Sequence, residues 1–296
     1  MPIPLFLNPV AGHGRARRVQ SSLSNLLTTN GIEHTVVESA APRDLEHQVQ
    51  AAVSGGASQI LVAGGDGSVH EAVNGLQNSG KSAEVGVIPM GIDNDFAKAC
   101  AIPSHWEDAA MLLVDRLKNS MPARPVDIGR MNDRYFVNNA GIGFDAKITG
   151  IARNLHFPIA DLVYPAATLQ ALWQGVSTHE VTLHFDDETF NGEITMISVS
   201  NGPWIGGMFH IAPSAINDDG VLDLLITKSV SRLRIMALLP KLISGTHIGE
   251  PEISHARIAK CEIVATEPLL YQLDGEIQPL QTRFRFDLLP GALPLL

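Results

Sequence analysis

The sequence predicts an α/β domain with a doubly wound parallel sheet, followed by a β-rich domain of the antiparallel, sandwich-like type. In the first third, apolar strand-like runs alternate with helical stretches, which is typical of a parallel sheet with helices on both faces. This alternation stops near residues 121–125, and most of the β-rich runs beyond them follow without a helix between. We place the domains at residues 1–124 and 125–296, with the last few residues packing back on the first domain. The active site is expected in the cleft between them.

The elements of the first domain follow in strict order. The predicted strands cover residues 3–7, 34–38, 59–63 and 85–88. The predicted helices cover residues 16–27, 44–52 and 68–76, and a fourth helix begins near Asp95. An apolar run bounded by glycines, such as the third strand, is typical of a strand buried on both faces of a parallel sheet.

The second domain is predicted to consist of short strands and two apolar helices. The strands cover residues 135–138, 181–185, 194–200, 222–226, 262–265, 269–273 and 283–288, and the helices cover 159–173 and 231–242. With 296 residues, of which 45% are hydrophobic, the chain can bury a core in each domain.

Composition excludes several classes of protein. A net charge of −10 argues against a nucleic-acid-binding protein, which needs clustered Lys and Arg. The two cysteines, Cys100 and Cys261, have no CxxC spacing, so neither a disulfide framework nor a zinc site is indicated. The first residues lack the basic and apolar regions of a signal peptide, and we expect a cytoplasmic protein.

A glycine-rich turn follows the third predicted strand. The strand leads into Gly64-Gly65-Asp66-Gly67, and a helix is predicted from Ser68. Three glycines let backbone N–H groups approach an anion, and the start of a helix carries positive partial charge. Ser68 and Glu71 have the spacing of a capping box. Asp66, a carboxylate among amides that attract phosphate, indicates a divalent cation; the alternative is a helix-capping carboxylate.

Two other strand ends carry polar turns. Residues 8–14 follow the first strand and residues 91–95 follow the fourth. Because ligands of open parallel sheets bind outside the carboxyl ends of the strands, we expect the three turns to converge. Gly12-His13-Gly14, with Glu38 further on, keeps a Rossmann oxidoreductase as an alternative, although Arg17 replaces the third glycine of that fingerprint. No GxxxxGK[ST] sequence occurs, which excludes a P-loop enzyme.

Together the motifs resemble the catalytic domain of the diacylglycerol kinase family, which includes bacterial lipid kinases and sphingosine and ceramide kinases and is distantly related to NAD kinases. Seven motifs occur in family order over nearly the whole chain. They are Asn8-Pro9-x-Ala11-Gly12-x-Gly14, Gly64-Gly65-Asp66-Gly67-Ser68 with Glu71 and Asn74-Gly75-Leu76, Pro89-Met90-Gly91-Ile92-Asp93-Asn94-Asp95-Phe96-Ala97, Gly141-x-Gly143-x-Asp145-Ala146, Ser200-Asn201-Gly202 with Gly206-Gly207, Asp218-Asp219-Gly220-x-Leu222-Asp223 and Leu273-Asp274-Gly275-Glu276.

The third motif, usually PxGTxNDFA, differs from the family pattern. Ile92 replaces the threonine, and Asp93 stands where glycine is usual. The change removes a hydroxyl expected near the nucleotide phosphates and adds a charge. A non-catalytic nucleotide-binding protein of the same fold is therefore kept as an alternative.

The resemblance implies a kinase that transfers the γ-phosphate of ATP, with Mg²⁺, to the hydroxyl of a lipid. Diacylglycerol is the leading acceptor; sphingoid bases, ceramide and phosphatidylglycerol stay open, as does an NAD kinase-like or other soluble-alcohol kinase. The residues implied for the nucleotide are Asn8, Gly64, Gly65, Asp66, Gly67, Ser68 and Asn94. Those implied for the metal include Asp66 and Asp95, although Asp95 could equally cap its helix.

Two acidic turns of the second domain have implied roles. Asp274 is implied as the base that accepts the proton of the lipid hydroxyl, with Glu276 assisting; a spacing of two along an extended chain would point both carboxylates to one side. The alternative is a polar β-turn. Asp219 is implied to hold a structural Mg²⁺ together with the carbonyl groups of Ile216 and Val221, and the alternative is a solvated Asp-Gly turn.

The predicted helix at residues 231–242 is relevant to what the protein binds. It carries Arg232, Arg234 and Lys241 beside an apolar face, a pattern found both in helices that rest on a membrane and in helices packed on a sheet. With a lipid acceptor, we expect peripheral contact with the inner face of the membrane. A homodimer is also kept open.

Overall fold

The computed structural model describes residues 2–155 and 162–296. The chain divides into two compact units, one made of Met1–Asp127 with Pro290–Leu296 and the other of Ile128–Leu289. The C-terminal segment is thus part of the first unit. The boundary expected from the sequence, between Arg124 and Pro125, lies near the point where the chain first leaves that unit.

The first unit is an α/β structure. Its strands are β1 (Ile3–Leu7), β2 (His34–Glu38), β3 (Gln59–Gly64) and β4 (Glu84–Pro89), and its helices are α1 (Ala11–Thr29), α2 (Asp44–Ser54), α3 (Asp66–Asn78), α4 (Asp95–Ala99) and α5 (Trp106–Lys118). The strands are parallel, in the order β2, β1, β3, β4. The C-terminal segment adds a further parallel neighbour, since Leu295 pairs with Val85.

Burial in the first unit explains its alternating sequence. Residues 60–63 of β3 are all fully buried, so both faces of the sheet are covered. Helices α1 and α5 pack on one face through a cluster that contains Leu23, Leu113 and Leu61. Helices α2 and α3 pack against each other.

Three predictions in this unit were wrong in detail. Helix α1 begins at Ala11, and Gly12, His13 and Gly14 within its first turn have left-handed φ angles of 57°, 54° and 78°. Helix α5 was not predicted. Helix α3 begins at Asp66 with Gly65 as its N-cap residue and no side-chain cap, so Ser68 and Glu71 do not form a capping box.

The second unit is built on antiparallel strands. Its elements are β5 (Arg124–Met131), β6 (Arg134–Phe136), β7 (Asn139–Gly143), α6 (Phe144–Ala152), α7 (Val163–Gln174), β8 (His179–Phe185), β9 (Glu188–Ser200), β10 (Leu222–Lys228), α8 (Arg232–Ser244), β11 (Ile253–Ile258), β12 (Lys260–Leu273) and β13 (Glu276–Leu295), of which β5 begins and β13 ends in the first unit. Strands β9 and β12 each pair with both β7 and β8, which closes a ring of four strands. A large apolar core fills it, including Leu183, Ile197, Ile263 and Phe284.

The second unit contains strands and helices as predicted, but several of the predicted bounds are wrong. The strands expected at 262–265 and 269–273 are one strand, β12, whose register shifts between Val264 and Leu269. Helix α6 and strand β11 were not predicted. The first part of the helix expected at 159–173 falls on residues 156–161, which lie outside the described part of the chain, and the remainder corresponds to α7. Within residues 2–155 and 162–296, no helix has the length and apolarity that crossing a membrane requires.

Candidate functional site

In the first unit, the turns that follow β1, β3 and β4 lie side by side. The side-chain amide of Asn8 donates to Ser68 Oγ at 3.2 Å. The backbone N–H of Met90 donates to the carbonyl of Gly64 at 2.8 Å. Because parallel strands end at the same edge of a sheet, these contacts bring the first three motifs together there.

Two glycines from different motifs touch each other through their backbones. A Cβ atom on Gly65 would lie 2.9 Å from Gly91 Cα, and one on Gly91 would lie 2.5 Å from Gly65 Cα. A Cβ atom on Gly64 would lie 2.2 Å from Ser68 Oγ. Side chains at these positions would separate the turns, so the glycines permit a close approach of main-chain groups at the start of α3.

Asp66 joins the second motif to the third. Its Oδ1 accepts the backbone N–H of Phe96 at 2.9 Å, which caps the short helix α4. Asn94 has a left-handed φ of 50°, and its side chain bonds both the N–H (2.9 Å) and the carbonyl (3.0 Å) of Gly91. The capping alternative for Asp66 therefore applies, although the helix is α4 rather than α3. Asp95 is buried, with Lys98 Nζ 3.6 Å from its carboxylate.

Arg15 is a candidate residue that the sequence reasoning missed. Its guanidinium donates to the carbonyl of Gly91 at 2.8 Å, and its Nε is buried without a hydrogen-bond partner among the described residues. The left-handed turn before it brings Gly12 so close to the fourth strand end that a Cβ there would lie 2.2 Å from the Met90 carbonyl. A cation at the edge where three anion-binding turns meet suits a phosphate. The signal was present in the run of arginines after Gly14.

In the second unit, Asp274 is buried and bonded to the main chain. Its Oδ1 accepts the backbone N–H groups of Asn138 (2.8 Å) and Asn139 (3.0 Å). Its Oδ2 accepts the backbone N–H of Val137 at 3.0 Å. The Asp274 carboxylate therefore holds residues 137–139, where β6 leads into β7, against the hairpin turn that contains Asp274.

The expected extended geometry of Asp274 and Glu276 is wrong. Leu273 pairs with Glu276, and the two residues between them have φ angles of 48° at Asp274 and 84° at Gly275. Two positive φ angles in a two-residue loop are typical of a type I′ hairpin turn, for which Asp-Gly is a favoured sequence. The turn alternative considered from the sequence thus describes the backbone here.

Glu276 has different surroundings from Asp274. Its side chain is partly exposed and forms an ion pair with the Arg153 guanidinium, which also donates to the carbonyl of Gly275 at 3.3 Å. No backbone N–H holds the Glu276 carboxylate in the hydrogen bonds of the described residues. Of the two carboxylates, Glu276 is the more exposed to solvent.

Behind the hairpin lies a buried polar network. The Gln272 side-chain amide donates to Asn139 Oδ1 (2.7 Å) and Asp145 Oδ2 (2.8 Å), and its carbonyl oxygen accepts the N–H of Gly275 at 2.8 Å. Burial raises the pKa of Asp145, and the bond from Gln272 partly opposes this shift. A Cβ atom on Gly141 would lie 1.6 Å from Asp145 Oδ2. The Asp145 carboxylate therefore leaves no room for a side chain at residue 141.

The turn at Asp219, which the resemblance implies as a structural metal site, is held by contacts of its own carboxylate. One carboxylate oxygen pairs with the Arg257 guanidinium, and the other accepts the backbone N–H of Val221 at 3.3 Å. A cation there would have to displace Arg257, and the group that Val221 directs at Asp219 is an N–H. Within the described residues, no group of three or more His, Cys, Asp and Glu side chains is placed to hold a metal ion.

Comparison with known families matches both units. The family model described as the diacylglycerol kinase catalytic domain matches residues 2–131. The model described as the YegS C-terminal NAD kinase beta sandwich-like domain matches residues 138–296.

Individual relatives match over most of their length. A diacylglycerol kinase of Bacillus subtilis is 29% identical over 273 residues, which cover 92% of this chain and 88% of the relative. A probable lipid kinase YegS-like of Pseudomonas aeruginosa is 32% identical over 254 residues, which cover 84% of this chain and 80% of the relative. A crystal structure of a putative diacylglycerol kinase from Bacillus anthracis is similar in fold, with a TM-score of 0.80, 24% identity and coverage of 99% and 96% of the two chains.

Proposed function

The chain belongs to the diacylglycerol kinase catalytic-domain family, and from this premise we propose that it transfers the γ-phosphate of ATP to the hydroxyl of a lipid, with diacylglycerol as the first candidate acceptor. Members of this family are phosphotransferases that act on an alcohol group. The observation that carries the proposal is the convergence of three motif turns at the carboxyl edge of the parallel sheet, beside the start of α3.

The nucleotide phosphates belong at this edge. Backbone N–H groups at a helix start and a nearby guanidinium are the donors that phosphate oxygens prefer. Gly64, Gly65 and Gly67 keep the surface free of side chains, while Asn8 and Ser68 add polar groups next to it. Arg15 supplies the positive charge.

Mg²⁺ fits the edge of the first unit better than the turn at Asp219. Magnesium in kinases uses one or two carboxylates together with phosphate oxygens, so a preformed cage of side chains is not needed. Asp66 would supply that carboxylate, with Asp95 following on the neighbouring turn. When bound, Mg²⁺ neutralises charge on the phosphate groups during transfer. Its binding with nucleotide is measurable without turnover, by calorimetry on the wild type and on Asp66→Asn.

Glu276 is the better candidate for the base. A general base must reach the proton that it removes. The Asp274 carboxylate is buried and accepts three backbone N–H groups. The Glu276 carboxylate is partly exposed and forms an ion pair with an arginine side chain. We therefore assign the base to Glu276 and the positioning of the hairpin to Asp274, which reverses the order expected from the sequence.

An apolar cavity in the second unit supports a lipid acceptor. It has a volume of about 60 Å³ and lies among the side chains of β9, β10 and α8, including Met196, Leu225, Leu238 and Leu242. Its mostly apolar lining suits methylene groups, and its volume, far below the roughly 300–1,000 Å³ of ligand pockets, would take only a small part of an acyl chain.

The deciding experiment measures transfer of labelled γ-phosphate from ATP and Mg²⁺ to a panel of lipids in mixed micelles, with NAD as a soluble acceptor. A labelled lipid that is absent with Glu276→Gln would support the proposal and name the acceptor. Labelled NAD would instead indicate the soluble-alcohol alternative. ATP binding without any transfer would favour the non-catalytic alternative that Ile92 and Asp93 suggest.

A further inference from the structure

Helix α8 has an apolar stripe on its solvent-facing side. Leu233 is 79% exposed, and Met236 and Ile243 are also exposed. Their spacing of three and seven residues places them along one side of the helix. The inward side of α8 packs through Ile235 and Leu238. The exposed apolar stripe is therefore separate from the apolar side that anchors the helix. Ordinary surface helices are polar on the outer side.

Helix α7 continues this surface. The segment Val163–Gln174 contains no charged residue, and it exposes Leu169 and Trp173, one turn apart. Trp173 is 83% exposed. Ala171 of α7 and Ile235 of α8 belong to one buried cluster, together with Phe144 and Val230, so both helices pack on the same small core.

We call the outward residues of both helices the α7–α8 face. It consists of Leu169, Trp173, Leu233, Met236 and Ile243. Five large exposed apolar side chains on two helices that share a buried cluster exceed the singly scattered apolar residues that are normal on a protein surface.

The charge around this face differs from that of the whole chain. The protein has 31 acidic residues and a net charge of −10, yet neither α7 nor α8 contains Asp or Glu. Helix α8 contributes Arg232, Arg234 and Lys241, and Arg232 is exposed. An anionic surface would therefore meet no acidic side chain on either helix.

The nearest acids on the adjoining segment are already paired. Arg234 bonds Glu252 at 2.8 Å and Glu250 at 2.5 Å, and Lys241 pairs with Glu250 as well. These bonds lower the pKa of both glutamates, which stay ionised and matched by cations. Of the two readings of the sequence, Arg234 and Lys241 follow the packed one, because their ion pairs hold α8 against the adjoining segment.

We propose that the α7–α8 face docks on the surface of an anionic lipid bilayer. Tryptophan and aliphatic side chains partition into the interfacial region of a bilayer, and a nearby arginine contacts headgroup phosphates. The proposal rests on the proposed function in one respect, since a lipid acceptor resides in such a bilayer. It also places a docking surface beside the apolar cavity that α8 covers.

The test is co-sedimentation of the purified protein with vesicles, without ATP. Vesicles of phosphatidylcholine with phosphatidylserine are compared with phosphatidylcholine alone. The double variant Leu233→Ser and Met236→Ser should bind at least about tenfold more weakly, because it removes two aliphatic side chains that would be buried in the interface. Trp173→Ser should weaken binding in the same direction.

A matched control comes from β13. Leu280→Ser removes a leucine that is 59% exposed and lies outside the α7–α8 face, and it should leave vesicle binding unchanged. Equal vesicle binding by the wild type and the double variant would overturn the proposal. A double variant that changes only the oligomeric state in solution would also overturn the proposal, because the face would then be an interface between copies of the chain.

A second assay separates this proposal from the proposed function. Phosphate transfer is measured to a short-chain diacylglycerol below its micellar concentration and to a long-chain diacylglycerol in vesicles. The double variant should match the wild type on the soluble substrate and be at least about tenfold slower on vesicles. If no lipid is phosphorylated by any variant, the proposed function fails, while the vesicle-binding result still decides the docking proposal.

Discussion

Asp274 and Asn139 are joined by two reciprocal hydrogen bonds. The backbone N–H of Asp274 donates to the Asn139 carbonyl at 2.8 Å, and the backbone N–H of Asn139 donates to Asp274 Oδ1 at 3.0 Å. The same carboxylate holds Val137 and Asn138. One acidic side chain thus fixes both the hairpin that presents Glu276 and the strand that leads into the buried network.

Substitution of Asp274 is expected to destabilise the fold. Asp274→Asn puts an NH₂ group against backbone N–H donors and leaves at least one of them without an acceptor, which costs about 1–3 kcal/mol. Urea unfolding measures this loss. An unchanged midpoint would show that the three N–H bonds do not stabilise the protein.

Substitution of Glu276 is expected to affect turnover instead. Glu276→Gln keeps the shape and the partly exposed position but removes the basic oxygen, so kcat should fall by about 10²–10⁴ while stability changes little. Phosphate transfer and urea unfolding are measured on the same preparation. If Asp274→Asn abolished transfer at full stability and Glu276→Gln did not, the original assignment of the base to Asp274 would be restored.

The contact between the two glycines predicts a defect in nucleotide binding. Gly91→Ala forces apart the backbones at Gly65 and Gly91 and should weaken nucleotide binding by about tenfold or more, because overpacking costs roughly 1–3 kcal/mol. Titration with a fluorescent ATP analogue measures the change. Gly150→Ala is the control, since its Cβ would meet nothing closer than 3.8 Å.

The departure at Ile92 predicts a gain of binding. The Ile92 side chain is exposed at the turn of the third motif, so Ile92→Thr fits without repacking and restores the hydroxyl of the family pattern. One hydrogen bond contributes about 1 kcal/mol, which corresponds to about fivefold tighter binding of nucleotide. Ile92→Val serves as the control, because it is β-branched and lacks the hydroxyl. Equal affinities would place residue 92 outside the nucleotide site.

Asp145 predicts a pH dependence of stability. Burial raises its pKa in the folded state above the ordinary value of 3.8, so ionisation opposes folding as pH rises through that value towards the folded pKa. Asp145→Asn, which can still accept the bond from Gln272, should gain stability relative to the wild type over this range. Urea midpoints of both proteins from pH 4 upwards measure the difference. A difference that does not change with pH would contradict the assignment.

The strands of the first unit were largely predictable, and the contacts between motifs were not. Strands β1 and β2 match their predicted bounds because each is a short run of strand-forming residues ended by turn residues. Helix α5 was missed although Ala109, Ala110, Leu113 and Val114 have helical spacing.

The candidate site shows where sequence reasoning stops. Asp-Gly between two apolar runs is a hairpin signal, and the sequence reasoning kept a turn at Asp274 only as the alternative to an extended segment. The burial of that carboxylate depends on Val137–Asn139, which are distant in sequence, and the pairing of Asp219 depends on Arg257 in the same way. Such partners are fixed by tertiary structure and leave no local pattern.

Residues 290–296 can complete the first unit only after the second unit has been synthesised. Pro290–Leu296 belongs to the first unit, where Leu295 pairs with Val85 at the edge of β4. A ribosome releases this segment only after the whole second unit has been translated. Until then β4 lacks this neighbour, and an unpaired strand edge invites association with other chains. The sheet of the first unit is therefore completed only after the second unit has been made.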